Sequence, residues 1–207
     1  MSNYTLQRRA LPWSSVAILF ALASPVSAQR VETVTVFPAA CGCFAGEPLG
    51  GTWTVYDFSE SDEPLGTPAA PYNTVLAVNV LTIGTQLGDY IQGRDVSEII
   101  CGGGGDDVIF GGGGNDQISG GRGDDRIFGE ENADEICGDG DDDELYGDDP
   151  TDSHGNLDQG DRIRGGMGDD LLFGGAANDN LTGGGDEDFA DGAAGNDMCV
   201  AEMVINC

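Results

Sequence analysis

An all-β chain built by stacking short, similar coils is what the sequence predicts. Three observations carry it: a nine-residue period across 84–207, an acid at the sixth place of every unit, and an apolar residue at the eighth of nearly every one. Units begin at Gly84, Gly93, Gly102, Gly111, Gly120, Gly129, Gly138, Gly147, Asn156, Gly165, Gly174, Gly183 and Gly192. Their sixth residues are Asp89, Glu98, Asp107, Asp116, Asp125, Asp134, Asp143, Asp152, Asp161, Asp170, Asp179, Asp188 and Asp197. Ile or Leu fills the eighth place from Ile91 to Leu181, with His154 as the one interruption, before Ala190 and Cys199 close the column. A glycine-rich hexapeptide turns tightly because glycine tolerates positive φ, and three residues with an apolar centre suit a short strand. Turn and strand make half a coil, so eighteen residues make a full one. Successive coils stack as parallel strands around a thin core of eighth-place side chains.

Stacking brings the sixth-place carboxylates of units two apart to about the strand spacing of 4.8 Å. Left alone, each column is a ladder of like charges. Composition offers little within the protein to neutralise it: 37 acids stand against 8 bases, a net charge of −29 over 207 residues, with 35 glycines. A hard cation held by carboxylate and backbone carbonyl oxygens turns the repulsion into attraction. The same composition excludes other chemistries. All bases are Arg, so no P-loop, Schiff-base lysine or pyridoxal-phosphate site exists. The acidity argues against nucleic acid and anionic membranes, which are held by Lys and Arg.

The units starting at Gly102, Gly111, Gly120 and Gly165 read G-G-x-G-x-D in full, and those at Gly174 and Gly192 miss by one glycine. This resembles the RTX, or hemolysin-type, calcium-binding nonapeptide repeat. The resemblance implies a parallel β-roll, a calcium-stabilised solenoid, with several Ca²⁺ ions in its turns. Asp107, Asp116, Asp125 and Asp170 are its best-matched ligands, and Asp134, Asp143, Asp179, Asp188 and Asp197 hold the same place in less perfect units. The pattern is weakest in the first two units and across 147–164, where Pro150, Ser153, His154 and Asn156 replace motif residues, so a whole coil there is expected to be remodelled or looped out.

Three segments precede or make up this array. Residues 1–28 have a secretory signal layout: Arg8 and Arg9, an apolar run at 16–23, and small residues before a cleavage point after Ala28. That run is short of the roughly 20 residues a membrane-spanning helix needs. Residues 29–83 carry β-branched and aromatic runs at 31–37, 51–58 and 72–80, three short strands expected to form a β-rich cap on the open end of the roll. Residues 84–207 are the roll.

Other readings of the residues fail on spacing. Asp139, Asp141 and Asp143 open like an EF-hand, but Glu144 stands where the turn glycine belongs and Pro150 where the closing Glu belongs. A row of acids is not the facing pair of a glycosidase, His154 lacks partners for a metal site, and no H-E-x-x-H or G-x-S-x-G occurs. The expectation is a secreted, extracellular, non-catalytic calcium-binding protein with a structural or interaction role toward a cell-surface or protein partner. The alternatives are a folding and export module of a secreted toxin or hydrolase, and a calcium-dependent adhesin. Phe110, Phe128 and Tyr146, eighteen residues apart, are expected to stack and to be covered by the N-terminal segment. The exported setting makes the six cysteines disulfides: Cys199 with Cys207, and Cys41 and Cys43 with Cys101 and Cys137, since the last two are two coil spacings, about 9.6 Å, apart.

Overall fold

The computed structural model describes residues 30–36, 42, 48–58, 64–69, 72–73, 80–148 and 159–207. Along the chain its strands are β1 (Arg30–Val36), β2 (Pro48–Asp57), β3 (Tyr72–Asn73), β4 (Val80–Ile83), β5 (Tyr90–Asp95), β6 (Ile99–Cys101), β7 (Val108–Gly113), β8 (Gln117–Arg122), β9 (Arg126–Glu131), β10 (Glu135–Gly140), β11 (Glu144–Tyr146), β12 (Arg162–Met167), β13 (Leu171–Ala176), β14 (Asn180–Gly185), β15 (Phe189–Ala194), β16 (Met198–Val200) and β17 (Met203–Ile205). They alternate between two sheets, ordered β1-β2-β4-β6-β8-β10-β12-β14-β16 and β17-β15-β13-β11-β9-β7-β5-β3. Every pairing is parallel except β1 with β2. This is the parallel β-roll that the repeat predicts. Among the described residues no helix is long and apolar enough to cross a membrane.

The core is the eighth-place column. Ile91, Ile109, Ile127, Leu145, Leu172 and Ala190 from one sheet face Ile100, Ile118, Ile136, Ile163 and Leu181 from the other, all at 0% exposure. Strand period two sends their neighbours outward. Most strands are longer than the three residues expected, running on through the first three places of the next unit, as in Val108-Ile109-Phe110-Gly111-Gly112-Gly113. The turn proper is then confined to the fourth to sixth places.

At the N-terminal end Phe58 and Leu65 join the core cluster, and the Tyr90 N–H donates to the Leu65 carbonyl at 2.6 Å. The run expected as one strand at 72–80 supplies β3 to one sheet and the start of β4 to the other, with 74–79 outside the described residues. The signal layout of 1–28 also lies outside them.

The irregular stretch resolves into an insertion within one turn. β10 pairs with β12, and β11 with β13, at offsets of 27 residues where flanking coils use 18: Ile136 meets Ile163, and Leu145 meets Leu172. Gly147 still opens the turn, its carbonyl accepting from Glu130 N–H at 2.9 Å, and Asp161 takes the sixth place. Between Gly147 and Asp161 the chain therefore carries nine residues more than the corresponding span of its neighbours, with 149–158 outside the described residues. The unit counted from Asn156 is not a separate half-coil, and Leu145 and Ile163, eighteen apart, lie in opposite sheets. Pro150, Asp152 and His154 fall outside the described residues.

Outward aromatics stack as the spacing predicts, with Phe110, Phe128 and Tyr146 at centroid separations of 4.9 and 4.8 Å. The insertion brings Phe173 into the next rung at 4.7 Å. The rings are half-buried, largely against one another. Cover by the N-terminal segment is not found among the described residues, because β1 and β2 extend the opposite sheet. Cys199 and Cys207 are bridged, with Cα atoms 6.0 Å apart. Cys101 and Cys137 are both disulfide-bonded and buried, on β6 and β10 with β8 between them. Their expected partners Cys41 and Cys43 lie outside the described residues; Gly42, between the two, packs against Asp139 at the end of β10.

Candidate metal-binding site

The geometry of the turns explains each place of G-G-x-G-x-D. The first glycine is required by space: a Cβ on Gly102 would stand 2.2 Å from Asp107 Oδ2 and 2.6 Å from the Gly120 carbonyl oxygen of the next coil. The second and fourth are required by conformation, with φ of +111° at Gly103 and +88° at Gly105. Imperfect units hold the same backbone with other residues, as at Glu130 (+75°), Asp139 (+86°) and Asp141 (+76°), at a cost of about 1–2 kcal/mol each.

The sixth-place acids form two columns, one on each edge of the roll. On the first edge Asp89 N–H donates to Asp107 Oδ1 at 2.7 Å, Asp107 to Asp125 at 2.8 Å, Asp125 to Asp143 at 2.9 Å, Asp143 to Asp170 at 2.9 Å, and Asp170 to Asp188 at 3.1 Å. Leu65 N–H begins this ladder on Asp89 Oδ1, and Glu202 Oε2 ends it under Asp188 N–H. On the second edge Glu98 donates to Asp116, Asp116 to Asp134, Asp134 to Asp161, Asp161 to Asp179 and Asp179 to Asp197, at 2.6 to 2.9 Å.

One oxygen of each carboxylate is thus committed to the ladder. The other is not: Oδ2 of Asp107, Asp116, Asp125, Asp134, Asp143, Asp161, Asp170 and Asp188 is buried with no hydrogen-bond donor. These residues are 0 to 4% exposed. A buried carboxylate oxygen without a partner is among the costliest groups a fold can contain, and here it recurs in these eight turns. Burial pushes these carboxyls far above the usual range, to about 9 at Asp107 and Asp161, about 8 at Asp116 and Asp143, about 7 at Asp125 and Asp134, and about 6 at Asp170. Neighbouring carboxylates push in the same direction.

The donor set fits a hard cation, since carboxylate Oδ2 and turn carbonyls are all oxygen and, among the described residues, no His, Cys, Asp or Glu cluster of three supplies a softer site. Among the described residues no three His, Cys, Asp or Glu side chains converge on one point. Coordination in a turn therefore has to combine column carboxylates with backbone carbonyls. Of the acids expected from sequence, Asp107, Asp125, Asp143, Asp170 and Asp188 share the first edge, and Asp116, Asp134, Asp179 and Asp197 the second. Asp197 is half-exposed at the end of the roll. Asp161 completes the second column and was legible in the register, although its unit was expected to be disrupted. Asp89 and Glu98 differ: their second oxygens accept from Thr85 N–H at 2.6 Å and Arg94 N–H at 2.7 Å, so the chain itself satisfies the first turn of each column.

A family model described as the RTX calcium-binding nonapeptide repeat (4 copies) matches residues 83–118, 92–127, 102–136, 119–149 and 160–199, just over half of the chain. Its gap between 149 and 160 coincides with the inserted turn. No curated protein matches the chain.

Proposed function

The chain belongs to the RTX calcium-binding nonapeptide repeat family, and from that premise we propose that it is an exported protein whose roll folds when calcium fills its turns and which then serves as a structural or interaction module rather than a catalyst. The observation that carries this reading is the paired columns of buried Oδ2 atoms without donors. One Ile or Leu per nine residues is a thin core, and such a core does not offset a ladder of desolvated charge. Cations in the turns convert that ladder into the main cross-link between coils. Asp107, Asp116, Asp125, Asp134, Asp143, Asp161, Asp170 and Asp188 are the ligands this reading assigns, with Asp179 and Asp197 completing the second edge.

Export is supported by the N-terminal charge and apolar pattern together with the Cys199–Cys207 bridge, since disulfides persist in oxidising compartments. A non-catalytic role is supported by the arrangement of the acids in rows rather than as a facing pair. The aromatic ladder favours no sugar platform: successive rings of Phe110, Phe128, Tyr146 and Phe173 stack with their planes within 7 to 10° of parallel, so their faces are spent on each other. Circular dichroism tests the reading. Calcium-free protein should be largely disordered and should gain strand signal cooperatively at about 10⁻⁴ to 10⁻³ M Ca²⁺, with Mg²⁺ a poor substitute. A strand-rich spectrum indifferent to chelator would defeat it.

A further inference from the structure

The two edges are built alike at the sixth place and unlike at the fifth. On the first edge the fifth residues are Gly88, Asp106, Asp124, Asp142, Asp169 and Glu187, acidic in every unit after the first; on the second they are Ser97, Asn115, Ala133, Gly160, Asn178 and Asn196. The acidic row is a ladder in its own right. Asp124 N–H donates to Asp106 Oδ1 and Asp142 N–H to Asp124 Oδ1, both at 3.2 Å; Asp169 N–H donates to Asp142 Oδ1 at 2.9 Å and Glu187 N–H to Asp169 Oδ1 at 3.0 Å. These bonds point back to the preceding coil, whereas the sixth-place bonds point forward, so adjacent first-edge turns from Asp106 to Glu187 are bridged in both directions. The second edge has only fragments of this row, Asn115 N–H to Ser97 Oγ and Asn196 N–H to Asn178 Oδ1, both at 2.9 Å. Ala133 and Gly160 have no acceptor side chain; Gly160 lies at the end of the lengthened turn and Ala133 in the turn stacked on it. A cavity of about 620 Å³ opens along that edge, rimmed by Ser97, Asn115 and Asn178.

We infer that the roll carries two classes of calcium turn, a tight first edge reinforced by the Asp106, Asp124, Asp142 and Asp169 row, and a weaker second edge that fills after it. This rests on the calcium reading above. The second row is not itself the site. Its role is to place an exposed, unneutralised charge beside each buried Asp107, Asp125, Asp143 and Asp170 Oδ2 that has no donor, deepening the potential that draws a cation to that oxygen. The first edge also runs uninterrupted past the insertion, since Asp143 still meets Asp170 at 2.9 Å, while the inserted turn belongs to the second edge.

The test uses the full chain and two sets of substitutions titrated with Ca²⁺ by calorimetry, with circular dichroism followed in parallel. Asp106→Asn, Asp124→Asn and Asp142→Asn together keep an Oδ1 acceptor for the ladder, as Asn178 does for Asn196, while removing three charges. Unsubstituted protein should show two classes of site. The triple variant should weaken the tighter class on the order of tenfold and flatten its salt dependence, leaving the weaker class in place. Asn115→Asp with Asn178→Asp should tighten the weaker class instead. One class of site in the unsubstituted chain, or equal shifts of both classes in either variant, overturns the inference while calcium binding stands. Absence of any calcium binding overturns the functional reading, and this inference with it.

Discussion

Gly102 and Gly104 are two residues apart in one turn, yet alanine should have opposite effects at the two. At Gly102 the new Cβ would lie 2.6 Å from the Gly120 backbone oxygen and 2.2 Å from Asp107 Oδ2. The carbonyl belongs to the next coil and has no room to yield. Overpacking of this kind costs about 1–3 kcal/mol, and displacing the Asp107 carboxylate loosens the bond it accepts from Asp89 N–H, worth about 1 kcal/mol. Alanine recovers about 0.4–1 kcal/mol by restricting the unfolded chain, so the net loss is about 2 kcal/mol. At Gly104 the nearest atom is Gln86 Oε1 at 3.3 Å, at the end of an exposed, flexible side chain. The backbone there is not left-handed, so only the unfolded-state gain remains and the variant should be neutral or slightly stabilised. Calcium titration by circular dichroism and denaturant melts in saturating calcium read both effects. Gly102→Ala should need more calcium to fold and should melt about 2 kcal/mol sooner, while Gly104→Ala should match the parent. Equal behaviour of the two variants would refute the packing argument for the first glycine.

Two other outcomes follow from the same geometry. In calcium-free buffer, the raised carboxyls should make acid a folding agent. A group whose folded pKa exceeds its unfolded value of about 4 contributes its stability below that value and loses it as pH rises through the folded one. Strand signal should therefore be present near pH 4 and disappear between about 6 and 9, the range spanned by Asp170 and Asp107; acid unfolding of the calcium-free chain would contradict this. Removing the Cys199–Cys207 bridge with Cys199→Ser should cost about 2.5 kcal/mol by loop-closure entropy. The loss should show as faster amide exchange in β16 and β17 with β7 to β9 unchanged, and uniform exchange across the roll would argue against a local clip.

Much of the fold was legible because its two determinants are local and periodic. Ile109 or Leu172 at the eighth place and Asp107 or Asp170 at the sixth declare their roles by phase alone. A strand of three or more residues with one inward side chain leaves no other face to bury. The need for a cation was legible too, since neutralising columns of Asp in a chain with 8 bases requires charge from outside. The insertion was foreseen as a disturbance but not in its form. Asp152 and Asp161 both satisfy a nine-residue count, and only the pairing of Ile136 with Ile163 shows that the chain skips one unit and that Asp161 closes the turn. Register across a loop is decided by which strands meet, a long-range choice that spacing leaves degenerate.

Hydrogen bonding decided the rest. Asp89 and Asp107 occupy the same place in the repeat, but Thr85 N–H reaches the second oxygen of Asp89, while that of Asp107 has no donor. The difference arises because a repeat unit specifies a residue's position, and its unmet hydrogen-bonding capacity depends on which backbone N–H groups of its own turn and of the neighbouring coils are left to reach it.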